Sequence, residues 1–167
     1  MQNKDKPKEE VKISKNTIQI RWIQTKLSKL DEHENHYFYA FSRANILLYL
    51  GKSHKTFLKQ EIKQSLKRLE MSAIGLSIWI GWLIKYDTEH DKEIEITETE
   101  LINSQLVDDA ESLLIYKNKT TYNKTKIKSY RGRVPLTVIS KGCLLLKGKI
   151  TITSNKRTIT SKGALKK

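Results

Sequence analysis

Tyr37-Phe38-Tyr39-Ala40-Phe41, Ser42-Arg43-Ala44-Asn45 and Ile46-Leu47-Leu48-Tyr49-Leu50-Gly51-Lys52-Ser53 run in succession, and the reading of this stretch decides the fold. Aromatic and branched residues stand on either side of a four-residue polar connection. That pattern predicts two short strands joined as a β-hairpin, with Gly51 ending the second.

Working outward, residues 55–70 place Leu58, Ile62, Leu66 and Leu69 at steps of four, four and three, which is one face of a helix. Lys55, Lys59, Lys63 and Lys67 repeat along another face. Leu76, Ile78, Ile80 and Trp82 then alternate with Ser77, Trp79, Gly81 and Leu83, as expected of a strand buried on both sides. The acidic segment 85–95 reads as a loop or hairpin tip. Thr97 and Glu100 have the spacing of a capping box, opening a helix through Leu101, Leu106, Ala110, Leu113 and Leu114 to about residue 117. Residues 118–135 are polar and basic, with turn signals at Asn118, Asn123 and Gly132. Residues 136–139 and 144–152 predict closing strands.

Before the hairpin, the charged residues 1–13 have almost nothing to bury. In 18–30, Ile23, Leu27 and Leu30 suit a helix, whereas the alternation in 17–22 could begin as a strand. Residues 31–35 form a polar break, and no internal repeat is present. The expected class is α+β: a small central β-sheet, hairpin plus third strand, flanked by helices. The length of 167 residues suits one domain with tails. The expected division is a tail at 1–15, a main domain at 16–140 with a helical lead, and a basic strand and tail extension at 141–167.

Lysine and arginine number 32 against 18 acidic side chains, a formal charge of +14. The last acid is Glu111, and fifteen basic residues follow it, from Lys117 to Lys167. The acids crowd into 87–111 instead. A one-signed field over a third of the chain attracts polyanions, nucleic acid above all. The plainer alternative is a lysine-rich surface that aids solubility. Cys143, the single cysteine, excludes an internal disulfide or a multi-cysteine zinc site, and its apolar setting suits a core thiol. Residues 1–10 lack an apolar signal region, and the longest apolar run, 73–84, is shorter than the roughly twenty residues of a membrane helix. A soluble, cytoplasmic protein is expected, with no membrane partner and no small-molecule cofactor.

Two local patterns carry chemistry. One is Tyr49-Leu50-Gly51-Lys52 at the end of the hairpin. The other is the run from Glu111 through Leu114, Ile115 and Tyr122 to Asn123. In this order and spacing they resemble the GIY-YIG nuclease family, and most of all the nuclease domain of the bacterial excision-repair enzyme. The resemblance covers residues 36–130. It implies a metal-dependent endonuclease cleaving DNA, with Glu111 holding Mg2+ or Mn2+, Tyr49 orienting water or assisting proton transfer, and Asn123 completing the motif. The family's first tyrosine falls on Tyr39, with Tyr37 the alternative. Its helical arginine position holds Lys59. Arg68 is the only arginine between the motifs after Gly51. Either lysine serves, Arg68 reaches in through a shifted helix, or catalysis is weak or lost.

The residues support a parallel argument. Phosphodiester cleavage needs an activated nucleophile and charge stabilisation at phosphate. Glu111 adjoins Ala110 at the edge of an apolar helix face, where a carboxylate can hold a divalent ion with water. A solvated helix glutamate is the ordinary alternative. A phenol of pKa near 10 is a poor base unless cations lower it. Lys52 suits a phosphate contact, and His54 suits either a proton shuttle or a loop. Gly51-Lys52-Ser53 does not end a P-loop, because Ile46 stands where that motif needs glycine. His33, His36 and His90 lack ligand-like spacing. DNA, ahead of RNA, is expected to contact Lys63, Lys67, Lys124, Lys126, Lys128, Arg131 and Arg133. The rival readings are a catalytically inactive nucleic-acid-binding module with the same fold and an RNA-associated structural protein.

Overall fold

The computed structural model describes residues 16–31, 38–53, 57–87, 90–96 and 104–153. Tyr37, His54 and the expected capping box at Thr97 and Glu100 lie outside them.

The hairpin forms as read, with a tighter turn. β2 (Phe38–Arg43) and β3 (Ile46–Lys52) are joined by Ala44 and Asn45 alone, at φ 48° and 62°. Positive φ at both central residues gives the turn whose twist matches paired strands. Ser42 and Arg43 therefore belong to β2, and a register shift between Phe41 and Ser42 absorbs the irregularity.

β1 (Thr17–Thr25) corrects the helical lead. Ile18, Ile20 and Trp22 are buried, while Thr17, Gln19 and Arg21 between them are half-exposed. That two-residue period belongs to a strand. Leu27 falls in a short 3-10 turn, Leu27–Lys29, so the spacing of Ile23, Leu27 and Leu30 spans a strand end and a turn. β4 (Ser77–Asp87) is the central strand, pairing antiparallel with β2 on one side and β1 on the other. Its uninterrupted apolar sequence follows from burial on both faces, with Ile78 and Ile80 on one and Leu83 on the other. The acidic segment is a hairpin: β5 (Lys92–Glu95) folds back on the end of β4. β6 (Leu136–Lys141) runs parallel to β1, and β7 (Lys149–Ile152) returns antiparallel beside it. The strand expected at 144–152 is thus confined to its last four residues.

All seven strands form one curled, mixed sheet in the order β3-β2-β4-β1-β6-β7, with β5 on β4. This overturns the expected small sheet flanked by helices. The described residues are mostly sheet and contain two α-helices, α1 (Leu58–Arg68) and α2 (Ser104–Asn118). None of the described helices is long and apolar enough to cross a membrane.

Each helix seals a different face. Leu58, Ile62 and Leu66 of α1 pack on Tyr39, Phe41, Ile78 and Ile80, the outer face. Val107, Ala110, Leu113 and Leu114 of α2 pack on Phe38, Ala40, Leu50, Ile20, Trp22 and Val138, the inner face. Cys143 joins this inner core, and burial pushes its thiol pKa up, so it is no ready nucleophile.

One outer-face contact titrates. Arg21 and Lys141 sit opposite each other on β1 and β6, where like charges repel. Glu93 of β5 bridges both. Lys141, then Arg21, hold its carboxyl below the usual value. A depressed folded pKa contributes stability above the unfolded pKa and loses it as pH falls through the folded one. Glu93→Gln is therefore expected to cost less than about 1 kcal/mol at neutral pH, because the partners are largely exposed. The difference from wild type should vanish on acidification below the carboxylate range. Urea melts at several pH values and salt concentrations check this, and an equal difference at acid pH would contradict it.

Candidate functional site

Strand alternation divides the hairpin motif between two faces. Tyr39 and Tyr49 belong to the outer cluster; Leu50 belongs to the inner one. On the outer face the two phenol rings lie 5.9 Å apart, and Phe41 stacks on Tyr49 at 5.5 Å. The Tyr39 hydroxyl lies 2.7 Å from Ser65 Oγ and donates to Glu61 Oε1 at 3.2 Å. Burial pushes its pKa far above the ordinary phenol, and Tyr49 and Glu61 raise it further. It is a neutral donor in a packed setting, unsuited to take a proton.

Arg68 is the arginine that meets the tyrosines. Its Nη2 donates to the Tyr49 hydroxyl at 3.0 Å and to Ser65 Oγ at 2.9 Å. Lys59 lies at the opposite end of α1. Gly51, directly across from Tyr39, supplies room rather than flexibility. A Cβ there would lie 2.5 Å from Tyr39 Cζ. The tyrosine ring lies over the glycine, so this half of the motif has a packing explanation.

On the other face, α2 offers three carboxylates, each joined to a cation from another segment. Lys126 Nζ donates to Glu111 Oε2 at 2.6 Å. Lys52 bonds Asp108. Arg133 donates to Asp109 Oδ2 through its backbone N at 3.2 Å and Nε at 3.0 Å, while Gln105 holds Asp109 Oδ1. Tyr130 donates to the Arg133 carbonyl at 2.8 Å, and burial, with Asp109 nearby, pushes its pKa up to about 12. The loop 119–135 is thereby fastened to α2. Lys124, Lys128 and Arg131 are exposed along it.

Asn123 is 8% exposed and acts as a surrogate strand. Its Oδ1 accepts from Leu50 N at 2.9 Å and from Thr120 Oγ1, and its Nδ2 donates to Leu50 O at 2.8 Å. Tyr122 N adds a bond to Leu48 O at 2.8 Å. These contacts cover the free edge of β3, a position that sheets otherwise leave open to foreign strands.

The structure therefore brings Tyr39, Tyr49 and Arg68 together, and separately brings Glu111 and Lys126 together. It does not bring the two groups to one point. The phenols lie beneath α1, and Glu111 lies on the helix across the sheet, so the expected shared centre is corrected. The Glu111 carboxylate is paired with the Lys126 ammonium. A hard divalent ion would need several further oxygen ligands beside it. No group of three His, Cys, Asp or Glu among the described residues is arranged to hold a metal. The expected DNA contacts are divided as well. Lys63 and Lys67 lie on α1, while Lys124 to Arg133 lie on the loop fastened to α2. Sequence reasoning missed Glu61, Ser65, Asp108 and Asp109, whose only local signal is an acidic or hydroxyl residue within a basic or apolar helix.

Against models of protein families, curated proteins and solved structures, the chain finds no match.

Proposed function

We propose that this protein binds nucleic acid without cleaving it through a metal centre at Glu111. The observation that carries the reading is the run of fifteen cations after the last acid, in a chain of net charge +14. Such an excess displaces counterions from phosphate, and affinity then falls linearly with log salt. The pairing of Glu111 with Lys126 favours a structural role for that carboxylate. The Arg68–Tyr49 contact is what favours the alternative, a weak phosphodiesterase.

Fluorescence anisotropy with labelled DNA and RNA strands, at rising salt, tests binding, and plasmid incubated with Mg2+ or Mn2+ tests cleavage. The expected result is salt-sensitive binding with no nicking. Metal-dependent nicking abolished in Glu111→Ala would overturn the proposal, as would an absence of binding at low salt.

A further inference from the structure

Residues 119–135 carry six cations and no acid. Their surroundings divide these cations into two kinds. Lys126 and Arg133 are paired with Glu111 and Asp109 of α2. Lys119, Lys124, Lys128 and Arg131 are exposed and have no carboxylate partner among the described residues. The acids of α2 that would repel a phosphate are meanwhile each held by a cation: Asp108 by Lys52, Asp109 by Arg133 and Glu111 by Lys126. The surface therefore keeps the positive charge of its four exposed side chains.

Each of those side chains stands close to a fixed point of the chain. Lys119 precedes Thr120, which is buried and bonded to Asn123, and Lys124 follows Asn123, which is bonded to Leu50. Arg131 follows Tyr130, which is buried and bonded to the Arg133 carbonyl. Lys128 lies midway between Tyr130 and the paired Lys126. A loop held at so many points has less left to order when a ligand arrives.

Resting on the nucleic-acid reading above, we infer that the loop 119–135 is the surface that grips the sugar–phosphate backbone. Lys119, Lys124, Lys128 and Arg131 each meet a phosphate, while Lys126 and Arg133 hold the loop on α2. Charge complementarity selects a polyanion. The shortage of rings selects the backbone over the bases. Tyr130 is buried, so Tyr122, 40% exposed, is the loop's one exposed aromatic side chain. Phosphate contacts fix position without carrying sequence information. Lys26, Lys29 and Lys67 are exposed as well, but they belong to segments that pack on the outer face, through Leu27, Leu30 and Leu66. They provide a comparison of equal charge.

The test uses the full chain and a labelled DNA duplex of mixed sequence, with affinity read by anisotropy across a range of salt. Thermal melts confirm that each variant folds. Lys124→Ala, Lys128→Ala and Arg131→Ala combined should flatten the slope of log affinity against log salt by about 2.7, at about 0.9 for each lost phosphate contact. Lys26→Ala, Lys29→Ala and Lys67→Ala combined remove the same charge and should change it by less than about 0.5. Lys124→Arg with Lys128→Arg keeps both charges and should leave the slope as in wild type. Duplexes of different sequence should compete within about threefold of one another. If the loop triple flattens the slope by less than about one, or no more than the outer triple does, the loop is not the contact surface, although the nucleic-acid reading stands. A strong preference for one sequence would likewise overturn the assignment to the backbone. If the wild-type protein binds neither duplex nor single strand at low salt, the nucleic-acid reading itself fails.

Discussion

Asn123→Ala is expected to lower the stability of the fold by about 2–4 kcal/mol, because it strips both backbone partners from a buried residue of the edge strand. Leu50 is 1% exposed, and its N–H and C=O are both satisfied by the one amide side chain. Truncation leaves a donor and an acceptor unpaired, each costing about 1–3 kcal/mol unless water enters. Asn123→Asp separates this from simple packing loss. It keeps the acceptor for Leu50 N but sets a carboxylate oxygen against the Leu50 carbonyl, so it should also destabilise, and less so at acid pH, where the protonated carboxyl can donate. Chemical denaturation gives the free energies. Hydrogen exchange at Leu50 should accelerate in both variants; unchanged exchange would show that the amide is not what holds this edge.

Gly51→Ala is the second large effect, expected at about 2–3 kcal/mol, at the upper end of what overpacking costs. The added Cβ would lie 2.5 Å from Cζ and 2.6 Å from the hydroxyl of Tyr39. That ring cannot turn aside freely, being held through Ser65 and Glu61 and packed against Phe41 and Tyr49. A double-mutant cycle isolates the clash. In a Tyr39→Leu background the hydroxyl and ring edge are gone, and Gly51→Ala should cost less than about 1 kcal/mol. Equal costs in the two backgrounds would mean that the glycine is needed for something other than the ring above it.

Parts of the fold were legible because their periodicity is local. The hairpin, α1 and β4 declare themselves in the alternation of Phe38 to Leu50, in Leu58, Ile62 and Leu66, and in the two-sided apolar run around Ile80. β1 was harder: Ile23, Leu27 and Leu30 match a helical step by coincidence, across a strand end and a turn. The pairing of β1 with β6 is invisible locally, since nothing near Thr17 names Thr137 as its partner. The missing strands are what turn a small flanked sheet into a wide one.

The arrangement of the candidate residues was not legible in the sequence. Sequence spacing singled out Tyr49, Gly51, Glu111 and Asn123, yet the alternation that sends Tyr49 outward sends Leu50 inward. Which face α2 would occupy depends on long-range packing, so the separation of Glu111 from the phenols could not be read. Asn123 is engaged with backbone atoms, and backbone partners leave no trace in residue type. Arg68 could be picked out as the sole arginine available, and its contact with Tyr49 followed from helix length rather than from the family's spacing.

The place of β1 between β4 and β6 governs how the chain can assemble. Its residues are made early, but its antiparallel neighbour begins at Ser77 and its parallel neighbour at Leu136. Until both exist, an apolar strand waits with open edges, while the β2–β3 hairpin can close on itself. Such distant pairings slow the search for the native state, so spontaneous renaturation belongs at the millisecond-to-second end of small-domain kinetics. A nascent chain halted before β6 would display Ile18, Ile20 and Trp22 to whatever strand arrived first.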